Sequence, residues 1–129
     1  MNPRFPLQAA GLFGATGVGL GAFGAHALHG FLATQGTLGT WETAVHYQLL
    51  HAVALLAAAV GLRSGEARAL AWAVRAWSAG IMLFSGSLYL LALGGPRWLG
   101  PVTPLGGLGL IAGWLCVAAA ASPDKKNES

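Results

Sequence analysis

The sequence predicts an all-α membrane protein, a bundle of four transmembrane helices with both termini on the cytoplasmic side. Three observations carry that expectation. Only 9% of the 129 residues are charged and 55% are hydrophobic, whereas a soluble domain places charge on about a quarter of its residues. The charges are also segregated, with no Asp, Glu, Lys or Arg in 5–41, 43–62, 76–96 or 98–123. A helix needs about 20 apolar residues to cross the hydrocarbon core, and each of these intervals is long enough. Lastly, Pro3, Pro6, Pro96, Pro101, Pro104 and Pro123 all lie in the end segments or between the last two expected spans, so the helix interiors carry no breakers.

A chain of this length supports one domain, here 1–129, with spans expected at about 7–28, 41–62, 74–93 and 104–122. The first begins after Arg4. Its apolar run and the Ala25-His26-Ala27 triplet resemble a secretory signal with its cleavage site. The run is long enough to span, so a retained first helix is expected. The connection 29–40 is polar and Gly-containing, with Phe31, Leu32 and Leu38 suited to the membrane interface. Thr40 is the expected N-cap of the second span, placing Glu42 in its first turn near the positive end of the helix dipole. A hydrophilic turn covers 63–68, and a loop dense in turn residues covers 94–103. Residues 123–129 form a polar cytoplasmic tail.

Orientation follows from the basic residues. Four spans put the N-terminus, the 63–68 turn and the C-terminus on one side, with Arg4, Arg63, Arg68, Lys125 and Lys126, against Arg97 alone on the other. Positive residues stay cytoplasmic, so both termini are expected inside a cytoplasmic (inner) membrane. Arg75 can snorkel to the same surface. Trp41 and Trp98 suit an outer aromatic belt, Trp72 and Trp77 an inner one.

Composition also excludes. The basic residues are spread over five segments and make no patch, which argues against nucleic acid as a partner. Cys116, the only cysteine, cannot form an intrachain disulfide and reads as a small hydrophobe in an apolar run.

Small residues suggest packing faces. On the first span Ala10, Gly14, Gly17, Gly21 and Ala25 recur three or four apart, and Gly109 and Gly113 repeat the pattern on the fourth. Such faces let helix backbones approach where no hydrophobic effect drives them together. Packing within the bundle is the preferred reading, with a homo-oligomer as the alternative.

Depth orders the polar side chains. His51 falls near the midplane of the second span, with Tyr47 and Gln48 one turn further out on the same face. Ser85, Ser87 and Tyr89 rise through the outer half of the third span, and His26 ends the first. The inner half is almost wholly Ala, Val, Leu and Gly. Polar groups in hydrocarbon are costly unless paired, so these should face inward and bond one another. Two roles are open: an interhelical network that fixes packing, or a polar pocket that binds a ligand or relays a proton through His51.

A metal site built from His26, His29, Glu42 and His46 would require the 29–40 connection to gather them, and Glu42 and His46 also suit an ordinary helix start. A bis-histidine haem would require His26 and His51 at matched depth, which their positions oppose. No metal or cofactor is therefore expected.

Four ordered motifs carry a family resemblance: Gly21-Ala22-Phe23-Gly24-Ala25-His26; Thr43-Ala44-Val45 with Tyr47-Gln48 and His51; Phe84-Ser85-Gly86-Ser87-Leu88-Tyr89; and Thr103-Pro104 with Gly106-Gly107. Together, from about Leu7 to Leu115, the chain resembles the domain of unknown function 423 family, small bacterial inner-membrane proteins whose animal relatives are called transmembrane protein 256. The resemblance implies a multi-pass membrane protein and no particular activity. His29 and His46 match nothing in the family pattern, which further weakens a metal site.

No activated nucleophile, paired intramembrane carboxylates or phosphate-binding loop is present, so an enzyme is not expected. The leading expectation is a non-enzymatic membrane component. It would act as an accessory subunit, or bind a lipid or hydrophobic small molecule through the outer-half polar cluster. The alternative is an oligomeric proton-coupled or small-solute transport element centred on His51. Expected partners are membrane lipids and a second copy or another membrane protein.

Overall fold

The first helix, α1 (Phe5–Ala25), opens with Pro6 in its first turn, where the missing N–H is not required. The computed structural model describes residues 1–65 and 67–121. The 123–129 tail and the end of the fourth span at residue 122 lie outside them. The chain continues through α2 (His29–Gln35), α3 (Leu38–Arg63) and α4 (Arg68–Ala92). A 3-10 turn at Arg97–Leu99 leads into α5 (Val102–Ala119). α1, α3, α4 and the stretch Arg97–Ala119 are long and apolar enough to cross a membrane. The expected all-α fold with four spans is what the structure shows.

The connection expected to be a polar loop is instead helical. α2 stops at Gly36, whose φ of 71° is left-handed backbone that favours glycine. The reversal is held by the Gly36 amide on the Ala33 carbonyl and the Thr37 amide on the Leu32 carbonyl. Leu32 anchors the element; it is fully buried against Trp41 and Ala92. α3 consequently starts at Leu38, so Thr40 is not its N-cap and Glu42 lies beyond the first turn. Thr37 takes the cap position, yet its hydroxyl donates to the Ala92 carbonyl at 2.8 Å and ties the start of α3 to the end of α4. α4 begins six residues before its expected start at 74, because Ala69, Leu70, Ala71 and Ala73 are strong helix formers.

The spans pack in chain order: α1 on α3, α3 on α4, α4 on α5. At the end carrying the 63–65 turn, Ala9, Ala10, Leu55, Ala58, Val74, Trp77, Ile81 and Leu110 form an apolar core. At the opposite end Leu32, Trp41 and Ala92 form a smaller one. The polar side chains occupy the layer between. Only two of the four expected belt tryptophans are exposed: Trp72 and Trp98 face outward, while Trp41 and Trp77 are buried in these cores. Both buried indoles have a carbonyl to bond, Leu20 at 2.9 Å for Trp41 and Leu110 at 3.1 Å for Trp77.

Close approach is by glycine, in a register shifted from the expected one. On α1, an added Cβ at Gly17 would lie 2.7 Å from the Leu49 side chain and at Gly21 3.1 Å from Val45. Gly24, not Ala25, meets Trp41; Ala25 is exposed and Gly14 faces open space. The contact row runs 10, 17, 24, and a step of seven residues returns almost to the same azimuth, whereas 14 and 25 rotate away. Between α4 and α5 the contact is tighter. Gly109 lies against Gly80, Gly113 against Trp77, and Gly106 against the Phe84 backbone.

Candidate functional site

Gln48 is the hub of the polar layer. Its side-chain amide donates to the Phe13 carbonyl at 2.9 Å and to the Thr16 hydroxyl at 2.8 Å. Its carbonyl oxygen accepts from the Tyr89 hydroxyl at 2.7 Å. One buried side chain thus joins α1, α3 and α4. Thr16 in turn donates its hydroxyl hydrogen bond to the Leu12 carbonyl at 2.7 Å, which completes the chain. Ser85 donates to the Ala44 carbonyl at 2.7 Å, between α4 and α3. Ser87 bonds Thr103, between α4 and α5.

His51 is central in α3 and 2% exposed. Its Nδ1 lies 2.8 Å from the Tyr47 carbonyl, and its Nε2 receives the Trp114 indole N–H at 3.0 Å. An indole only donates, so Nε2 carries a lone pair and Nδ1 carries the proton. The pairing assigns a neutral imidazole. Trp77 and Trp114 pack edge-on to the ring with centroids 6.1 and 5.8 Å away, and the Tyr47 ring stacks on it at 6.2 Å.

These contacts differ from the expected ones. His51 is expected to bond at least one of Tyr47, Gln48, Ser85 and Tyr89; of these it meets only Tyr47, at the backbone carbonyl, and its side-chain partner is Trp114. Residues 48 and 51 diverge by about 60° on a helix, enough to aim Gln48 at α1 and His51 at α5. Tyr47 is half-exposed and contributes a ring and a carbonyl, not its hydroxyl. His26 is exposed at the end of α1 and stays out of the network. Thr16 and Trp114 join it without having been singled out by sequence. Among the described residues every buried side-chain nitrogen or oxygen has a partner.

Space is found elsewhere. At the end carrying Arg63, α1 and α4 diverge around a groove of about 980 Å³. Phe5, Ala9, Leu12 and Phe13 line one wall; Ala79 and Met82 line the other. Its polar residues are Ser78, whose hydroxyl is taken by the Val74 carbonyl at 2.7 Å, and Gln8. A smaller cavity of about 310 Å³ shares Phe5 with this groove and is lined by Met1, Asn2 and Arg75.

Comparison with known proteins agrees with this architecture. The family model described as "Protein of unknown function (DUF423)" matches residues 20–107, a stretch containing Gln48, His51, Ser85, Ser87, Tyr89 and Thr103. The chain belongs to the DUF423 family. Similar proteins include the UPF0382 membrane protein SH2409 of Staphylococcus haemolyticus, 48% identical over 99 residues, or 76% of this chain and 79% of that one. The UPF0382 membrane protein YwdK of Bacillus subtilis is 41% identical, covering 81% of this chain and 85% of its own. The UPF0382 inner membrane protein YgdD of Escherichia coli is 40% identical over 116 residues, 88% of this chain and 86% of its own. No solved structure matches the chain. This DUF423 protein is therefore an integral membrane protein with four spans, similar to relatives named for membranes and, in Escherichia coli, for the inner one. Among its described residues no three His, Cys, Asp or Glu side chains come together as a metal-holding group, so His26, His29, Glu42 and His46 are not gathered.

Proposed function

We infer that this DUF423 protein is a non-enzymatic membrane component that holds a lipid or other hydrophobic molecule in the groove between α1 and α4, with both termini in the cytoplasm. The observation that carries the reading is the groove itself. Its volume of about 980 Å³ lies at the upper end of the roughly 300–1,000 Å³ common for small-molecule sites. Its lining is apolar apart from Gln8 and Ser78, and the Gln8 side chain enters no hydrogen bond with another described residue. The polar layer supports the same division of labour, because Gln48, His51, Ser85, Ser87 and Tyr89 already bond neighbouring helices or backbone. A proton path through His51 would require it to release Trp114 first. Orientation rests on Arg4, Arg63, Arg68, Lys125 and Lys126 against Arg97.

Native mass spectrometry of protein released from lipid nanodiscs tests the reading. Wild-type protein should retain a bound lipid-sized mass, and Gly11→Leu should lose it. Gly11 lines the groove and an added Cβ there meets nothing within 4 Å, so the new side chain starts in open space beside the proposed ligand. Equal retention by both proteins removes the groove as the binding place.

A further inference from the structure

The groove has a chemically distinct mouth. Phe5 lines both the large apolar groove and the small cavity containing Asn2 and Arg75, so the two adjoin at that side chain. Arg75 lies in the second turn of α4 and Met82 seven residues deeper, about 10 Å along the helix axis. On the facing helix, Phe5, Gln8 and Leu12 descend in the same direction. From the surface inward the order is therefore cation, then amide, then hydrocarbon.

Among the described residues no carboxylate lies beside Arg75. Glu42 is the sole acidic residue among those described, and it lies near the start of α3, toward the opposite end of the bundle. The Arg75 guanidinium instead rests over the Trp72 ring, 4.7 Å from its centroid. A cation–π contact of this kind occupies none of the guanidinium N–H donors with an acceptor, and those donors suit a phosphate. Arg4, Arg63 and Arg68 are exposed at the same end and add to the positive potential.

We propose that the groove seats one anionic phospholipid, with its phosphate at Arg75 and Asn2, an ester carbonyl at Gln8, and an acyl chain along Leu12 and Met82. This rests on the binding function inferred above and adds the head-group chemistry. A free phosphate would meet Arg75 but leave the apolar groove empty; an uncharged hydrophobe would fill the groove but make no use of the cation at its mouth. An anionic phospholipid matches both parts in the order in which they occur.

The test uses full-length protein in nanodiscs of equimolar phosphatidylglycerol and phosphatidylcholine, with retained lipids counted by native mass spectrometry. Wild type should keep one phosphatidylglycerol in preference to phosphatidylcholine. Arg75→Gln should lower that preference about tenfold, the scale of one charge-assisted contact. Arg75→Lys should keep part of it, and Arg63→Gln, outside the groove and acting only through the general surface potential, should keep most of it. Circular dichroism and size-exclusion profiles establish that the variants are folded. An unchanged lipid ratio in Arg75→Gln, or an equal drop in Arg63→Gln, overturns the proposal. If wild type retains both lipids equally and Gly11→Leu loses both, the head-group assignment fails while the groove stands. If Gly11→Leu retains lipid as wild type does, both fail.

Discussion

Trp114 donates its indole N–H to Nε2 of His51 at 3.0 Å, the side-chain bond between α3 and α5. The relationship turns an ionisable residue at the centre of a membrane span into a fixed acceptor. Removing Trp114 leaves the buried imidazole without its donor, and removing His51 leaves the half-exposed indole without its acceptor, whereas removing both leaves only apolar contact. Trp114→Phe and His51→Leu should each destabilise the protein, with a coupling energy of about 0.5–2 kcal/mol in a double-mutant cycle. Reversible unfolding in mixed micelles measures it, and additive single effects would show that the bond contributes nothing.

Gln48 should be the most sensitive polar position. Gln48→Leu strands the Tyr89 hydroxyl and withdraws the donor from the Phe13 carbonyl and Thr16 together. Tyr89→Phe removes one of those bonds and leaves the other two. The expected loss is about 1–3 kcal/mol for Gln48→Leu and less than half of that for Tyr89→Phe. Equal losses would mean that the Tyr89 bond alone matters and that the link to α1 is idle.

The glycine contacts give a graded series. At Gly106 an added Cβ runs into the Phe84 backbone, which cannot yield as a side-chain tip can. Gly106→Ala should therefore cost about 1–3 kcal/mol, or displace α5 from α4. Gly17→Ala meets the flexible end of Leu49 and should cost less. Gly14→Ala enters open space and should leave thermal stability in detergent unchanged. A loss at Gly14 as large as that at Gly106 would contradict this arrangement of the helices.

Charge distribution and apolar run length made the four spans legible, because both act along the chain and need no knowledge of azimuth. The central place of His51 in its helix was legible in the same way. The partners of the polar side chains were not legible. A difference of about 60° between Gln48 and His51 selects different neighbouring helices, and only the packed bundle defines which helix lies there. Trp114 gave no signal as a polar partner, since indoles in a membrane protein first suggest the interface. Thr16 gave little, because a threonine in a helix can satisfy itself on its own backbone, as it does with Leu12. α2 was missed because Gly30 and Gly36 suggested a loop, while its stability comes from burying Leu32 under Trp41. The groove is a gap left by the divergence of two helices, and no residue pattern encodes a gap.

Topology is tested by cysteine accessibility in a Cys116→Ala background. Labels at Ser64 should react only from the cytoplasmic side, and labels at Gln35 and Arg97 only from outside. All three positions are exposed, so a failure to label reports sidedness and not burial. Reaction of the Ser64 label from outside would invert the orientation drawn from the basic residues.

If stability resides in the polar layer and binding in the groove, two substitutions should separate them. The direct measurement is thermal stability and retained lipid, both recorded on His51→Leu and Gly11→Leu from the same nanodisc preparation. His51→Leu should unfold at a lower temperature yet still carry lipid while folded. Gly11→Leu should unfold at the wild-type temperature without it. Loss of lipid from folded His51→Leu, with retention by Gly11→Leu, would place binding at the imidazole and contradict the groove.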